Sequence, residues 1–527
     1  MENGKVMILY TSDIHCGVDQ GFGLAGLHEI RKRLKAQGYA TILVDDGDAI
    51  QGEMLGLLTE GEDIAGLMND IGYDVAIPGN HEFDYGMKRF FEIVKRTAFP
   101  YISCNFTYKG ELVFAPYAML EACGIKIAFV GIATPETIVS STPSHFQDEQ
   151  GNLVYGFMQD KTGEKLYAAV QKAVDDARAA GADYVYAMAH LGNSEWSKPY
   201  TYADVISHTS GIDVFLDGHS HDTDQVVMKN KDGKDVLRSA VGTKLNCIGH
   251  SLISPEKGIE STAIWSWPNG DALPALLGIR NEIADKIDAA MDGLEKAKNE
   301  RRGYSAVHLN IYDPVEKDES GNRVRIVRLT ETNLGDFSAD AFRMVAGADI
   351  GLVNSGGIRA DIGKGVVTYG DLINVYPFGN KMSVLRATGQ EVLDALEWGV
   401  RAIPDESGAF FQVSGISFDV DAGVESPCMV DENSMFAGIA GERRVKNVMV
   451  GDEPIDPGKT YTVAGIDYSL VSKGDGQTAF AKAHIVESGG KADIEVLAEY
   501  LGGYLGGTIG EEYADPYGQG RIRILNG

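Results

Sequence analysis

Asp13 and His15, Asp48, Asn80 and His81, His190, and His219 and His221 all follow short apolar runs. Lys5–Tyr10 leads into Asp13 and His15, Thr41–Val44 into Asp48, and Asp74–Ile77 into Asn80 and His81. Tyr184–Ala189 leads into His190, and Asp213–Leu216 into His219 and His221. Carboxylates, an amide and imidazoles form a donor set suited to two divalent ions, with solvent and substrate completing the shell. Asp13-x-His15 can aim an oxygen and a nitrogen at one ion from a tight turn. Asp48, flanked by small residues in GDAIQG, is a carboxylate able to bridge two cations. The Asn80 amide in GNHEFD is a neutral ligand that leaves the pair net positive. Ions about 3.5–4 Å apart hold a shared hydroxide and clamp a phosphoryl group from both sides. Taken singly, each fragment has a bland reading: a surface Asp-His pair, a turn, or a satisfied core histidine. The signal is the set of five, in order, each after a strand-like run.

Short β-branched and aromatic runs bounded by Gly, Asp or Pro read as buried strands. Ligands of open α/β sheets gather at the carboxyl ends of such strands, so residues far apart in sequence can converge. Phe22–Gln37 and Gly163–Ala180 carry apolar residues at helical spacing, and strand-helix alternation across residues 1–255 implies an α/β layered domain. Val226–Ile253 and Thr262–Trp267 read as a closing β section, and Ile279–Ala297 as a charged helix lying on the first domain's surface. Asp313–Asn322 reads as a polar loop tip. Glu331–Ala346 reads as a helix entering a second α/β unit that runs to Ile522–Leu525. The expected domains are 1–325 and 348–527, joined by a linker helix within 326–347. There is no internal repeat and no low-complexity tract.

At 527 residues the chain has room for two or more domains. Acidic residues outnumber basic ones 76 to 47, for a net charge of −29. That excludes a strongly basic nucleic-acid-polymer binder. A small phosphate ester remains compatible, because a metal pair offsets its charge locally. The five cysteines lack CxxC spacing and read as free thiols, with Cys16 a neighbour of the ligands and not one of them. No apolar stretch reaches membrane-spanning length. The start, MENGKVMILY, lacks a secretory apolar region. Two locations stay open: cytoplasmic, or periplasmic or extracellular with an export signal removed. Nothing in the sequence selects an oligomeric state.

The motifs D13-x-H15, GD48, GN80H81E, AH190 and GH219-S-H221 resemble the calcineurin-type metallophosphoesterase signature. The FD of GNHEFD, ETNLGDFSADA, NSGGIR and the GDG ending at Gly476 resemble the two-domain 5′-nucleotidase family over nearly the whole chain. The resemblance implies a metallophosphoesterase β-sandwich flanked by helices, followed by an α/β substrate-specificity domain. It implies one ion on Asp13, His15, Asp48 and His221, and another on Asp48, Asn80, His190 and His219. Manganese, zinc or iron would suit such ligands. It implies that His81 and Asp84 form a catalytic dyad, with Asp84 orienting an imidazolium that stabilises the transferred phosphoryl group. The bland alternative for His81 is a supporting role behind the ligands. The implied reaction is hydrolysis of nucleoside 5′-monophosphates by in-line attack of a hydroxide held by the ion pair.

In the second domain the resemblance implies substrate contacts from Asn354, Gly357 and Arg359 in NSGGIR, with Arg359 gripping phosphate. Arg401, on an expected helix Glu391–Ala402, is either a further contact or a solvated charge. Phe410 or Phe411 could stack on a base, although one of an adjacent pair in a strand faces the core. The family's GDG loop is followed by an aromatic residue, whereas here Gln477 follows it. Gln477 can bond a base edge but offers no ring, and Phe480 either compensates or packs in the core. Substrate is expected between the domains, with an open-closed motion about the helix near 333–347.

Gln477 keeps open other phosphoesters, such as a UDP-sugar, a 2′,3′-cyclic nucleotide or a non-nucleotide ester. A sulfur ester on the same scaffold is a further alternative. A non-catalytic binding module is the reading from a different class, and it would not need the full ligand set and the dyad that this sequence retains.

Overall fold

The strands Val6–Thr11, Ile125–Ala133 and Tyr184–His190 are apolar at nearly every position because both of their faces are covered. In this computed structural model, which describes residues 4–148, 151–267, 278–317, 323–431 and 433–526, Ile8, Tyr10, Phe129, Tyr186 and Met188 share one core. The alternate residues Ala128, Val130, Val185 and Ala187 pack with Leu166, Val170 and Val174 of the helix Glu164–Ala179. Period-2 side-chain alternation therefore feeds two apolar layers from one strand.

Two sheets face each other across the first of these cores. One runs in the order Gly258–Ser266, Cys247–Ser254, Val6–Thr11, Ala40–Asp45, Val75–Ala76. The other runs Thr223–Lys229, Asp235–Val241, Val214–Asp217, Tyr184–His190, Ile125–Ala133, Tyr117–Ala122. Val6–Thr11, Ala40–Asp45 and Val75–Ala76 are parallel, as are Ile125–Ala133, Tyr184–His190 and Val214–Asp217. The buried hydroxyls of Tyr10 and Tyr186 are satisfied across the sandwich by Ser239 at 2.7 Å and Ser251 at 2.8 Å. Because the parallel strands end on the same side, their following loops gather there.

The chain divides into the units Met1–Gly293 and Leu294–Gly527. The division falls earlier than the expected boundary after residue 325. Arg301–Ser305 pairs with Gly365–Thr368 and Thr508–Ile509, which ties it to the second unit. The first part of the helix Glu282–Lys298 lies on the first unit, where Asn281 Nδ2 donates to Ala25 O at 2.9 Å. Tyr312–Lys317 is a strand paired with Arg323–Arg325, not a loop tip; the rest of that expected loop, 318–322, lies outside the described residues.

The second unit carries a sheet in the order Phe411–Ser414, Ile350–Asn354, Thr460–Ile466, Met382–Thr388, His484–Glu487. The helix Asn333–Ala346 starts at a Thr332 cap whose side chain accepts from Gly335 N, and every residue from Asn333 to Phe342 is buried. It packs on Ile350–Asn354 and Phe411–Ser414 and is a core helix of this unit, which corrects the linker expected within 326–347. All five cysteines are unpaired.

Candidate metal centre

Five ligand candidates have left-handed backbone: Asp13 (φ 51°), His15 (φ 46°), Asp48 (φ 58°), His219 (φ 81°) and His221 (φ 59°). That conformation is uncommon outside glycine and concentrates where surrounding structure forces a side chain into place. Here the loops brace one another. Asp13 N donates to Gly47 O and His15 N to Asp48 O, both at 2.9 Å, while His81 N donates to Asp48 Oδ1 at 2.8 Å. Two glycines permit the approach. A Cβ on Gly79 would lie 2.2 Å from Asp48 Oδ1, and one on Gly218 would lie 2.8 Å from Asp13 Oδ2.

The side chains converge as two groups, Asp13 with His15 and His221, and Asp48 with His190 and His219. Asp48 Oδ2 links them, lying 3.8 Å from His15 Nε2 and 3.0 Å from His190 Nε2. His221 Nε2 is 3.3 Å from Asp13 Oδ1 and 3.1 Å from His15 Nε2. Asn80, the residue before His81, is buried, and its Oδ1 has no hydrogen-bond partner among the described residues.

This donor set fits divalent ions on three observations. First, Asn80 Oδ1 is a buried polar atom without a hydrogen-bond partner among the described residues, a costly state that a ligand relieves. Second, the pocket favours positive charge. Burial lowers the His190 imidazole, yet Asp48 and Asp13 outweigh it and hold it well above its ordinary value. Third, burial pulls the His15 imidazole down to about 3, so it presents the neutral nitrogen that ligation needs. Cys16 is buried and its Sγ donates to Ala49 O at 3.5 Å; it joins neither group.

His81 and Asp84 bracket a single 3₁₀ turn, His81–Phe83. His81 Nδ1 lies 2.6 Å from Asp84 Oδ2, and the His81 and His15 ring centroids are 5.3 Å apart.

Sequence reasoning assigned no role to Glu82. Its buried carboxylate accepts from Gly79 N at 2.7 Å, Asp48 N and Ala49 N at 2.8 Å, and Ile50 N at 3.3 Å. It staples the Asp48 loop to the Asn80 loop, and its place in GNHEFD was the available signal. Glu136 was also missed: its Oε2 lies 3.2 Å from His219 Nε2. Burial raises the Glu136 carboxyl, but bonds from His219 and Ser197 outweigh it and hold it below the usual range.

In the second unit Asn354 Nδ2 donates to Asp475 Oδ2 at 3.3 Å while Asn354 Oδ1 is buried without a hydrogen-bond partner. Gly357 is buried in the turn Ser355–Gly357, and the Arg359 guanidinium lies 5.4 Å from the Phe378 ring centroid. Arg328, unremarked in the sequence, belongs with them. Burial, reinforced by Arg325 and Arg359, pulls its guanidinium down to about 9, and its Nε lacks a hydrogen-bond partner. Arg401 follows the helix Gly389–Gly399 instead of lying on it, and its guanidinium stacks 3.7 Å from the Trp398 ring centroid. It is therefore not a solvated helix charge.

Phe410, Phe411 and Phe480 all lie in one core cluster, so none presents a ring for stacking. Gln477 is 3% exposed, donates to Ala395 O at 3.2 Å and accepts from Ala479 N at 3.1 Å. Its amide is engaged within the fold and not offered to a base edge.

Residues 6–223 match the calcineurin-like phosphoesterase family, and residues 310–482 match the 5′-nucleotidase C-terminal domain. The chain belongs to the two-domain 5′-nucleotidase family. It is 28% identical over 544 residues to a 5′-nucleotidase of Vibrio parahaemolyticus, covering 94% of this chain and 89% of that protein. It is 27% identical over 539 residues to the trifunctional nucleotide phosphoesterase protein YfkN of Bacillus subtilis. That match covers 94% of this chain and 33% of YfkN, so the chain spans about a third of that relative's length. A crystal structure of a 5′-nucleotidase precursor from Thermus thermophilus shares the fold, with a TM-score of 0.77 and 24% identity over 99% of this chain and 100% of that one. Calcineurin-like metallophosphoesterases use divalent metals, in keeping with the two ligand groups. Among the described residues, no helix is long and apolar enough to cross a membrane.

Proposed function

We propose that the protein is a metal-dependent phosphohydrolase that releases phosphate from nucleoside 5′-monophosphates. The observation that carries the reaction class is the pair of ligand groups joined through Asp48, with His81–Asp84 beside them. Asp13, His15, Asp48 and His221 would hold one divalent ion, and Asp48, Asn80, His190 and His219 the other; manganese, zinc and iron all suit these donors. Such a pair supplies an activated water and offsets charge on the phosphoryl oxygens. The chain's own residues supply the rest. His81 directs Nδ1 at Asp84, so Nε2 is the nitrogen that would donate to a phosphoryl or leaving-group oxygen. Glu82 keeps the Asp48 and Asn80 loops in register while charge shifts.

Arg359 and Arg328 would bind the anionic part of the substrate. Guanidiniums crowded in a buried setting favour an anion, and Arg suits bidentate phosphate recognition. Half-buried Phe378 beside Arg359, and Tyr468, whose hydroxyl donates to Asp475 Oδ1 at 3.3 Å, offer rings to a base.

A second reading within the class is a broader nucleotide phosphoesterase acting on UDP-sugars or 2′,3′-cyclic nucleotides. The placement of Gln477 keeps it open, because the position after GDG offers no ring. Phosphate release by the manganese-loaded protein from the common 5′-mononucleotides, a UDP-sugar, a 2′,3′-cyclic nucleotide and an aryl phosphate tests both, with a chelator control. Preference for 5′-mononucleotides is expected; chelator-sensitive activity on the aryl phosphate alone would remove the nucleotide assignment.

A further inference from the structure

The candidate ligand histidines differ in what holds their second nitrogen. His15 Nδ1 lies 3.0 Å from Gln51 O, and His190 Nδ1 lies 2.8 Å from Asp46 O. Both are neutral carbonyl acceptors, and both leave Nε2 for an ion. His219 reverses the pattern: its Nε2 lies 3.2 Å from a carboxylate oxygen, Glu136 Oε2, which leaves Nδ1. Glu136 is itself fixed. Ser197 Oγ donates to the same Oε2 at 2.7 Å, and Glu136 N donates to Thr134 Oγ1 at 3.3 Å. Ser197 and Thr134 are buried. Glu136 follows the strand Ile125–Ala133 and precedes the short helix Thr137–Ser140, so it reaches His219 from a strand of the same sheet that carries His190.

We propose that Glu136 is a positioning residue that fixes the His219 tautomer, presenting Nδ1 to the ion shared with Asp48, Asn80 and His190. An anionic acceptor also makes its imidazole a more electron-rich donor than one bonded to a backbone carbonyl. The two ion positions are thereby made unequal by a residue that touches neither ion. The role rests on the metal reading above, and it is local: among the described residues, no comparable carboxylate contact to the outer nitrogen of His15 or His190 is present.

The test is binding of manganese alone to the metal-stripped full-length protein, measured by competition with a chelating dye that resolves two affinities. Glu136→Ala should weaken one of the two ions about 10–100-fold and leave the other within about twofold. Glu136→Gln keeps an acceptor oxygen and the Ser197 bond, so it should recover most of that loss. The melting temperature of the stripped protein should be the same for all three. Wild-type affinities in Glu136→Ala, or equal loss of both ions together with a lowered melting temperature in both variants, would overturn the role of Glu136 alone. A wild-type protein that takes up no ion pair would overturn the metal reading and this role together.

Discussion

His81 Nδ1 and Asp84 Oδ2 lie 2.6 Å apart, and Ser141 Oγ donates to the other Asp84 oxygen at 2.8 Å. The imidazole is thus oriented by a carboxylate that is itself anchored, and Nε2 is the ring nitrogen that Asp84 does not hold. His81→Ala should lower kcat by about 10²–10⁴-fold, the usual worth of a general acid-base group. Both ions should stay bound, because His81 belongs to neither ligand group. Loss of an ion in that variant, seen by metal analysis, would make His81 a structural residue. Asp84→Asn should lower kcat less steeply, since the amide can still accept from Nδ1.

Removing divalent ions should abolish activity and lower the melting temperature. Asp13 and Asp48 are buried carboxylates whose mutual repulsion a bound cation offsets. An ion at a hundredfold excess over its Kd adds about 2.7 kcal/mol to the folded state. Scanning calorimetry with chelator, then with excess manganese, reads the change directly; an unchanged transition with retained activity would refute the metal assignment.

The candidate ligands could be singled out because each sits just after an apolar strand and the side-chain types alone limit their chemistry. The backbone that aims them was not: left-handed Asp13, His15, Asp48, His219 and His221 are imposed by contacts between loops distant in sequence. Glu82, Glu136 and Arg328 were missed for the same reason, since their roles lie in partners supplied by the fold. A hinge at the helix Asn333–Ala346 is what the family resemblance implies; that Asn333, Asp336, Ser338 and Asp340 are buried in it depends on partners supplied by the fold.

Gln477 shows the same limit, and it yields a prediction. Adding the missing aromatic as Gln477→Phe should not improve nucleotide binding. The position is 3% exposed, and the new ring would displace an amide bonded to Ala395 O and Ala479 N. Overpacking of this kind costs about 1–3 kcal/mol. Phe480→Ala should cost about 3–5 kcal/mol through the cavity it leaves. A lower KM in Gln477→Phe with an unchanged melting temperature would show that the position faces substrate.

Arg359→Ala should raise KM for a mononucleotide about tenfold or more while both ions remain bound, because an anchor for the anion is lost. Arg359→Lys should recover only part of that, since an ammonium cannot reproduce a bidentate fork. Steady-state kinetics with metal content measured on the same samples separates this outcome from a damaged metal centre. A fall in kcat at constant KM would assign Arg359 to the chemical step instead.

Asp336 makes the stability of the second unit pH-dependent. Burial, partly offset by Arg521 and reinforced by Glu331, holds its carboxyl well above the usual range. Glu331 and Asp336 both accept from Gln519 N, at 2.5 and 2.9 Å, which keeps the two carboxyls together. An unfolded aspartate titrates near 3.9. Above that value the unfolded chain has lost a proton that folded Asp336 still carries. By linkage, the favourable contribution is full below about pH 4 and drains as pH rises toward the folded value. Asp336→Asn cannot ionise and keeps an oxygen to accept from Gln519 N. The variant should match the wild type near pH 4 and exceed it by about 1–3 kcal/mol at pH 8, one pKa unit being worth 1.36 kcal/mol. Urea midpoints of metal-stripped protein at pH 5 and pH 8 measure the difference. Parallel pH dependence in the two proteins would mean that Asp336 ionises as readily in the fold as in the unfolded chain.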